Sequence, residues 1–313
     1  MNHDMPKYKK LKVRVPATTA NVGPGFDSLG IAFNMYTTIS FEQEGEAKEN
    51  NPKNIKLEFS RCEEAFANKD NLVYTSYLEA MKKTGGKFPS RLRIEINSDI
   101  PVCRGLGSSA ACIVAGVTGA FELSGKTYEQ DEILEICNQI EGHPDNVAPA
   151  LMGGFKAAIQ EAGSVYATNI PVDPQLRFFA LVPNFKLSTE YSRSVIPLQV
   201  DFKDAIYNVS HVALMIGAFI NRDYKMLKTA VNDRLHQEYR VPLVEEYDEV
   251  MRICEDIGST ATFLSGAGPT IMVIDQNEVN SRQDYEQKLS GLNKDWKVHE
   301  LNIDFEGAKI SWC

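Results

Sequence analysis

The chain has 313 residues, 43% of them hydrophobic, with 33 Lys and Arg against 42 Asp and Glu for a formal net charge of −9. No clustered basic face offsets that balance, which excludes a nucleic-acid surface, and no apolar run approaches the ~18 residues of a membrane span. The polar, charged start lacks the apolar segment of a secretory leader, so a cytoplasmic protein of two domains is expected.

In chain order, the Lys-rich stretch 7–12 reads as a solvent-exposed start, and the alternating Leu11, Val13 and Val15 as a first strand. Residues 42–53 are polar and charged, as in a hairpin connection or surface loop. Leu92, Ile94 and Ile96 alternate with polar neighbours, which predicts a half-buried strand, and 110–121 reads as a helix of small and apolar residues. In 127–140, Ile133, Leu134, Ile136, Cys137 and Ile140 share one face of an amphipathic helix that delivers Glu141 to its end. A strand follows at 155–159, and the polar stretch 160–175, with Pro171 and Pro174, is the expected crossing between domains 1–165 and 166–313. Beyond it come a strand at 178–183, helices at 203–221, 224–235 and 243–257, and strands at 261–264 and 270–274. Further segments lie at 296–302 and 308–312. Strands and helices alternate through both halves, so the class is α/β or α+β.

The segment Pro101-Val-Cys-Arg-Gly-Leu-Gly-Ser-Ser-Ala-Ala111 ends a strand and opens a helix. Gly105 and Gly107 permit left-handed angles and close approach of a ligand, while Ser108 and Ser109 can cap the helix or reach a metal. The unpaired amides of a first helical turn favour an anion, each hydrogen bond to a phosphate oxygen contributing about 1.5–3 kcal/mol. Gly125-Lys126-Thr127 mimics the tail of a P-loop, but Ala120 stands where that pattern needs glycine, and Gly125 reads instead as a helix stop. Six cysteines (Cys62, Cys103, Cys112, Cys137, Cys254 and Cys313) are widely spaced without a CxxC pair, which suggests reduced thiols with neither a zinc site nor a disulfide framework.

Two further segments share the character of this loop: Pro16-Ala-Thr-Thr-Ala-Asn-Val-Gly-Pro-Gly-Phe-Asp-Ser-Leu-Gly30 and Ser265-Gly-Ala-Gly-Pro-Thr270. Together, in this order and over this span, the three loops resemble the motifs of the GHMP kinases, a superfamily of small-molecule kinases. Within it the first motif, the segment Glu141-Gly-His-Pro-Asp-Asn-Val-Ala-Pro149, and Thr189 with Arg193 are most similar to the homoserine kinases. The resemblance implies an α+β, GHMP kinase-like two-domain fold. Its N-terminal half would be like ribosomal protein S5 domain 2 and its C-terminal half ferredoxin-like, with the site between them. It also implies ATP-dependent phosphorylation of L-homoserine to O-phospho-L-homoserine, a step in threonine synthesis, with Mg2+ as cofactor.

For ATP the resemblance points to Pro101, Val102, Cys103, Arg104, Gly105, Leu106, Gly107, Ser108, Ser109, Ala110 and Ala111. It adds Asn71 against the adenine, although a helix cap explains that residue equally well. Ser109 and Glu141 are the matching metal ligands, and their hard oxygens suit Mg2+. An amino-acid acceptor needs opposite charges at its two ends. Asn21, Asp27, His143 and Asp145 match the ammonium positions and Asn146 the hydroxyl. Arg193 and Arg240 suit the carboxylate, because a guanidinium donates two parallel hydrogen bonds. Thr189 would orient the phosphoryl group. Asp27 is the candidate base, and catalysis by positioning alone stays open. A different GHMP-type acceptor such as mevalonate or a sugar, a nucleotide-binding sensor, and a homodimer also stay open.

Overall fold

Leu11, Val13 and Val15 are fully buried on one face of β1 (Lys9–Ala20), the strand on which the first of two sheets is built. The structure is a computed structural model that describes residues 9–47, 50–276 and 280–312. β1 runs antiparallel to β2 (Leu29–Glu44), with a register shift between Pro16 and Ala17. Next come β3 (Lys56–Ser60), α1 (Leu72–Thr84), β4 (Arg91–Ser98), α2 (Ser108–Ser124), α3 (Gln130–Glu141), α4 (Pro144–Met152), β5 (Phe155–Glu161) and β6 (Ser164–Ile170). The second half contains β7 (Arg177–Pro183), α5 (Thr189–Ser194), α6 (Phe202–Asn221), α7 (Leu227–Ala230), α8 (Gln237–Arg240) and α9 (Tyr247–Ile257). It ends with β8 (Ala261–Leu264), β9 (Ile271–Asp275), α10 (Arg282–Leu289), β10 (Trp296–Leu301) and β11 (Lys309–Trp312).

The second sheet has the order β10-β7-β9-β8 with every pair antiparallel. With α10 between β9 and β10 and the other helices between β7 and β8, this is the split βαβ arrangement of a ferredoxin-like unit. Alternation along β7 divides its side chains between two cores. Phe178 and Ala180 join the large core shared with the first sheet, where Phe178 meets Phe33 at 5.0 Å. Phe179 and Leu181 pack with Val250, Cys254 and Tyr285 under α9 and α10. The fold is thus α+β as expected. Among the described residues no helix is long and apolar enough to cross a membrane.

Several expectations change. Residues 7 and 8 of the Lys-rich stretch lie outside the described residues, while Lys10 and Lys12 belong to β1, Lys10 pairing with Glu42 at 3.2 Å. The 42–53 stretch begins as the end of β2, not as a loop. Residues 160–175 hold a hairpin, because β5 continues to Glu161 and β6 returns beside it with Phe155 opposite Ile170. A division at 165/166 therefore cuts β6, and the first sheet extends to Ile170. It also recovers residues from the far end of the chain, since β11 pairs antiparallel with β1, Leu11 opposite Trp312. Of the 224–235 helix only Leu227–Ala230 is α-helical, and α9 starts at Tyr247, after a 3-10 turn at Val241–Leu243. Gly125 does close α2, at φ 70°.

The return of the chain from β10 to β11 is latched at Asp304. Its carboxylate accepts from Tyr36 Oη–H at 2.8 Å and from the amides of Glu306 and Gly307 at 2.9 and 2.7 Å. Burial first, and then the bond to Asp304, push the Tyr36 hydroxyl up to about 12. Asp304→Ala leaves the buried Gly307 amide and the half-buried Tyr36 hydroxyl without this acceptor, and we expect a loss of about 1–3 kcal/mol in urea unfolding. An unchanged midpoint would show that the latch contributes nothing.

Candidate active site

A cavity of about 660 Å³ lies where the first motif, the loop before α2, the end of α3, the start of α4, α5 and the Gly266–Ala267 turn meet. No side chain caps α2, whose N-cap Gly107 sits at φ 71°, and Gly107, Ser108 and Ser109 line the cavity. The start of this 17-residue helix therefore presents amides and the positive end of its dipole to any anion there.

The loop is held from behind by protein atoms. Thr18 N donates to Leu106 O at 3.2 Å, Ser265 Oγ donates to Gly105 O at 2.6 Å, and Thr19 completes the chain by donating to Ser265 Oγ at 2.7 Å. A Cβ on Gly107 would fall 2.0 Å from Thr18 Oγ1. Packing against β1 and the left-handed backbone thus require glycine here even before any ligand is considered. Arg104 is a strut of the same loop: its guanidinium donates to Val102 O, Pro183 O and Asn184 O at 2.8–3.1 Å. Pro101, Val102 and Cys103 line the cavity, whereas Leu106, Ala110 and Ala111 are buried away from it. Asn71 lines the cavity and is also the N-cap of α1, its Oδ1 accepting from Val73 N at 3.0 Å and its Nδ2 donating to Phe66 O at 3.0 Å.

Beside the α2 start, Ser109 Oγ donates to Glu141 Oε2 at 3.0 Å. Burial raises the Glu141 carboxyl above its ordinary value, against the opposing pull of His143 and Ser109. Two hard oxygens beside an uncapped helix start fit a Mg2+ ion with a share of water ligands. Next in the chain, His143 Nδ1 meets Asp145 Oδ1 at 2.6 Å, and Asn146 Oδ1 accepts from Thr18 Oγ1 at 2.6 Å. Burial opposes a charged His143 ring, but Asp145 outweighs it and the ring is raised above its ordinary value. Asp27, His143 and Asp145 bring ligating atoms within 4.8 Å of one another.

Asp27 is gripped by Arg193, whose Nη1 and Nη2 donate to its two oxygens at 2.9 and 2.7 Å. Burial would raise the Asp27 carboxyl, yet Arg193 holds it below its ordinary value. That direction makes Asp27 a poor proton acceptor. Asn21 accepts from Asp27 N at 3.0 Å and donates to Gly266 O at 3.0 Å. Thr189 opens α5 at the cavity wall, one turn before Arg193.

Arg240 is 1% exposed and so is not a surface charge. Its donors reach Ser192 O at 3.3 Å, Gly266 O at 3.0 Å and the His236 ring at 3.2 Å, and its guanidinium lies 5.3 Å from the Phe26 ring. Among the described residues no carboxylate stands within ion-pair distance of it. The sequence reading overlooked His236 and Asp233, which support this arginine although they belong to the same stretch as Arg240. It also overlooked Lys186 and the wall at Arg61, Cys62 and Phe66. Lys186 was findable, as a cation between the end of β7 and the Ser188 cap of α5.

Residues 71–154 match the GHMP kinases N terminal domain and residues 215–287 the GHMP kinases C terminal domain, so the fold and its glycine-serine cradle define the GHMP kinase class. The sequence is 44% identical over 304 residues to homoserine kinase of Clostridium botulinum (strain ATCC 19397 / Type A), covering 97% of this chain and 99% of that one. The crystal structure of homoserine kinase from Cytophaga hutchinsonii matches with a TM-score of 0.86 at 25% identity, over 99% of both chains. L. major mevalonate kinase, solved in complex with R-mevalonate, shares the fold at a TM-score of 0.72 and 14% identity, over 95% of this chain and 96% of that one. The chain belongs to the homoserine kinase family of GHMP kinases.

Gly107→Val tests the packing account of the loop. We expect loss of nucleotide binding together with a fall of several degrees in Tm, since displacing Thr18 strains β1 as well as the cradle. A variant that loses ATP binding with an unaltered melt would return the role of this glycine to ligand clearance.

Proposed function

We propose that the protein transfers the γ-phosphoryl group of ATP to the side-chain hydroxyl of L-homoserine, giving O-phospho-L-homoserine for threonine synthesis. The observation that carries this reading is the pairing, within one cavity, of an uncapped helix start with a buried Arg240 that has no carboxylate in ion-pair distance among the described residues. The first suits a polyphosphate and the second suits a substrate carboxylate. Asp27, Asp145 and the Asn21 amide give the acceptor's ammonium an anionic wall, and Asn146 is within reach of a hydroxyl.

In this reading ATP lies with its phosphates on Gly107, Ser108 and Ser109, and Lys186 adds charge near the γ-phosphate. Ser109 and Glu141 would hold Mg2+, which would supply charge neutralisation to the phosphates. The acceptor oxygen bonds to phosphorus as the bond to ADP breaks, and Thr189 and Arg193 bear on the peripheral oxygens. Because Arg193 keeps Asp27 ionised and weakly basic, the hydroxyl proton passes to phosphate or solvent, and catalysis is positional and electrostatic. We take the reaction to be cytoplasmic, in keeping with free thiols at Cys62, Cys103, Cys112, Cys137 and Cys254.

A coupled ADP-release assay tests the assignment. We expect turnover that requires both magnesium and L-homoserine, with little from mevalonate or galactose, and turnover with either of those and none with homoserine would refute it. Arg240→Lys keeps the charge and removes the fork. We expect homoserine KM to rise by a factor corresponding to about 1.5–3 kcal/mol with ATP KM close to normal. Since Arg240 also holds two buried carbonyls, a thermal melt must accompany the titrations, and a folded variant impaired only toward ATP would move this arginine to the nucleotide side.

A further inference from the structure

Thr18, fully buried in β1, touches both sides of the reacting cavity without lining it. Its backbone amide donates to Leu106 O at 3.2 Å, and its Oγ1 sits 2.0 Å from where a Cβ on Gly107 would stand, so it packs directly behind the loop that opens α2. The same Oγ1 donates to Asn146 Oδ1 at 2.6 Å, 128 residues away in the first turn of α4. Asn146 does line the cavity.

The two ends of a primary amide have nearly the same shape, so packing alone does not orient Asn146. Its neighbours do. Nδ2 lies 3.4 Å from Asp145 Oδ1, and a flipped amide would set oxygen against that carboxylate oxygen. The distance is long for a hydrogen bond, and Asp145 Oδ1 is already engaged by His143 Nδ1 at 2.6 Å, so the short bond from Thr18 is what holds the side chain in place. With Oδ1 occupied by Thr18 and one Nδ2 proton turned to Asp145, the group left over is the second N–H. Such a donor binds an acceptor hydroxyl through one oxygen lone pair and leaves another for phosphorus.

Phosphoryl transfer needs the acceptor oxygen about 3–3.5 Å from phosphorus and in line with the breaking bond. Phosphates at the α2 start would be placed by the loop that Thr18 supports, and the hydroxyl by the amide that Thr18 holds. The start of α4 is seated without this residue, because a Cβ on Gly30 would fall 1.8 Å from Asp145 O, which shows β2 carrying the helix by close backbone contact. Loss of the Thr18 hydroxyl therefore releases the amide and leaves the helix where it is. We propose, on the homoserine reading of the site, that Thr18 is a positioning residue for phosphoryl transfer: its hydroxyl fixes the Asn146 amide, N–H toward the acceptor oxygen, at a set distance from the phosphate loop.

Steady-state titrations of homoserine and of ATP on the full chain test this. Thr18→Val is expected to lower kcat about 10–100-fold with both KM values within about threefold of wild type, as for lost alignment of bound reactants. Thr18→Ser keeps the hydroxyl and is expected to restore kcat to within about threefold of wild type. Should valine crowd Gly107 and the variant misfold, Thr18→Ala removes the hydroxyl without added bulk. In an Asn146→Ala background Thr18→Val is expected to change kcat by less than about threefold, because the amide it orients is gone. An unchanged kcat in folded Thr18→Val and Thr18→Ala, no recovery in Thr18→Ser, or a full further loss in the Asn146→Ala background overturns the proposal, the last by placing the effect in the phosphate loop. A wild type whose ATP turnover ignores homoserine overturns the functional reading and this role of Thr18 with it.

Discussion

A guanidinium almost wholly withdrawn from water, Arg240, sets the conditions that its neighbours must meet. Burying such a cation is unfavourable by several kcal/mol unless its donors find acceptors. Ser192 O comes from α5, Gly266 O from the turn between β8 and β9, and the third acceptor is a ring nitrogen of His236. His236 can accept only as a neutral ring that donates through Nε2, and Nε2 lies 2.7 Å from Gly23 O in the first motif. Burial lowers the pKa of this histidine and so keeps it neutral. Asp233 fixes the turn by accepting from the amides of Leu235, His236 and Gln237. Four distant stretches of chain therefore converge because one charge needs them. Burial, and then the nearby Arg193, lower Arg240 to about 10, which still leaves it charged at neutral pH.

The rest of the cavity is arranged by sign. Arg193 with Asp27 and His143 with Asp145 form two close pairs, and Glu141 stands beside them with its carboxyl raised by burial. The Asp27 pair is about one-third exposed, so its worth lies in orientation more than in stability. On the other side the phosphate loop offers backbone amides, since Arg104 is already bound to three carbonyls of the protein. On a chain with net charge −9, a polyanion would have to be held by local geometry and not by the overall field.

Legibility in the sequence followed the strength of local periodicity. Helix α2, the strand at 92–96 and the second-half strands declared themselves through apolar spacing. Helix α1 carried the same signal in Val73, Tyr77, Ala80, Met81 and Thr84, and Asn71 caps it, one of the two readings that the sequence left open. β6 was invisible for a physical reason: it belongs to a hairpin whose exposed positions include Gln160, Glu161, Thr168 and Asn169, so its polar composition resembles a linker. The three loops and the HPDN turn were readable as motifs, and the structure brings them to one cavity. The bond between Asp27 and Arg193, 166 residues apart, was not readable, because nothing local in either segment specifies the other. The same is true of Gly107, whose need for glycine comes from Thr18 on a distant strand.

The pairing of β11 with β1 bears on how the chain is made. β1 leaves the ribosome long before β11, the strand that covers its outer edge. Throughout synthesis β1 keeps a row of unpaired amides and carbonyls along that edge, the kind of template on which other nascent chains can add. Contacts of such long sequence separation form late and slowly. Nascent chains of this protein should therefore depend on chaperone shielding in proportion to the time between translation of Val13 and translation of Ile310, and slow translation of the second half should lengthen that exposure.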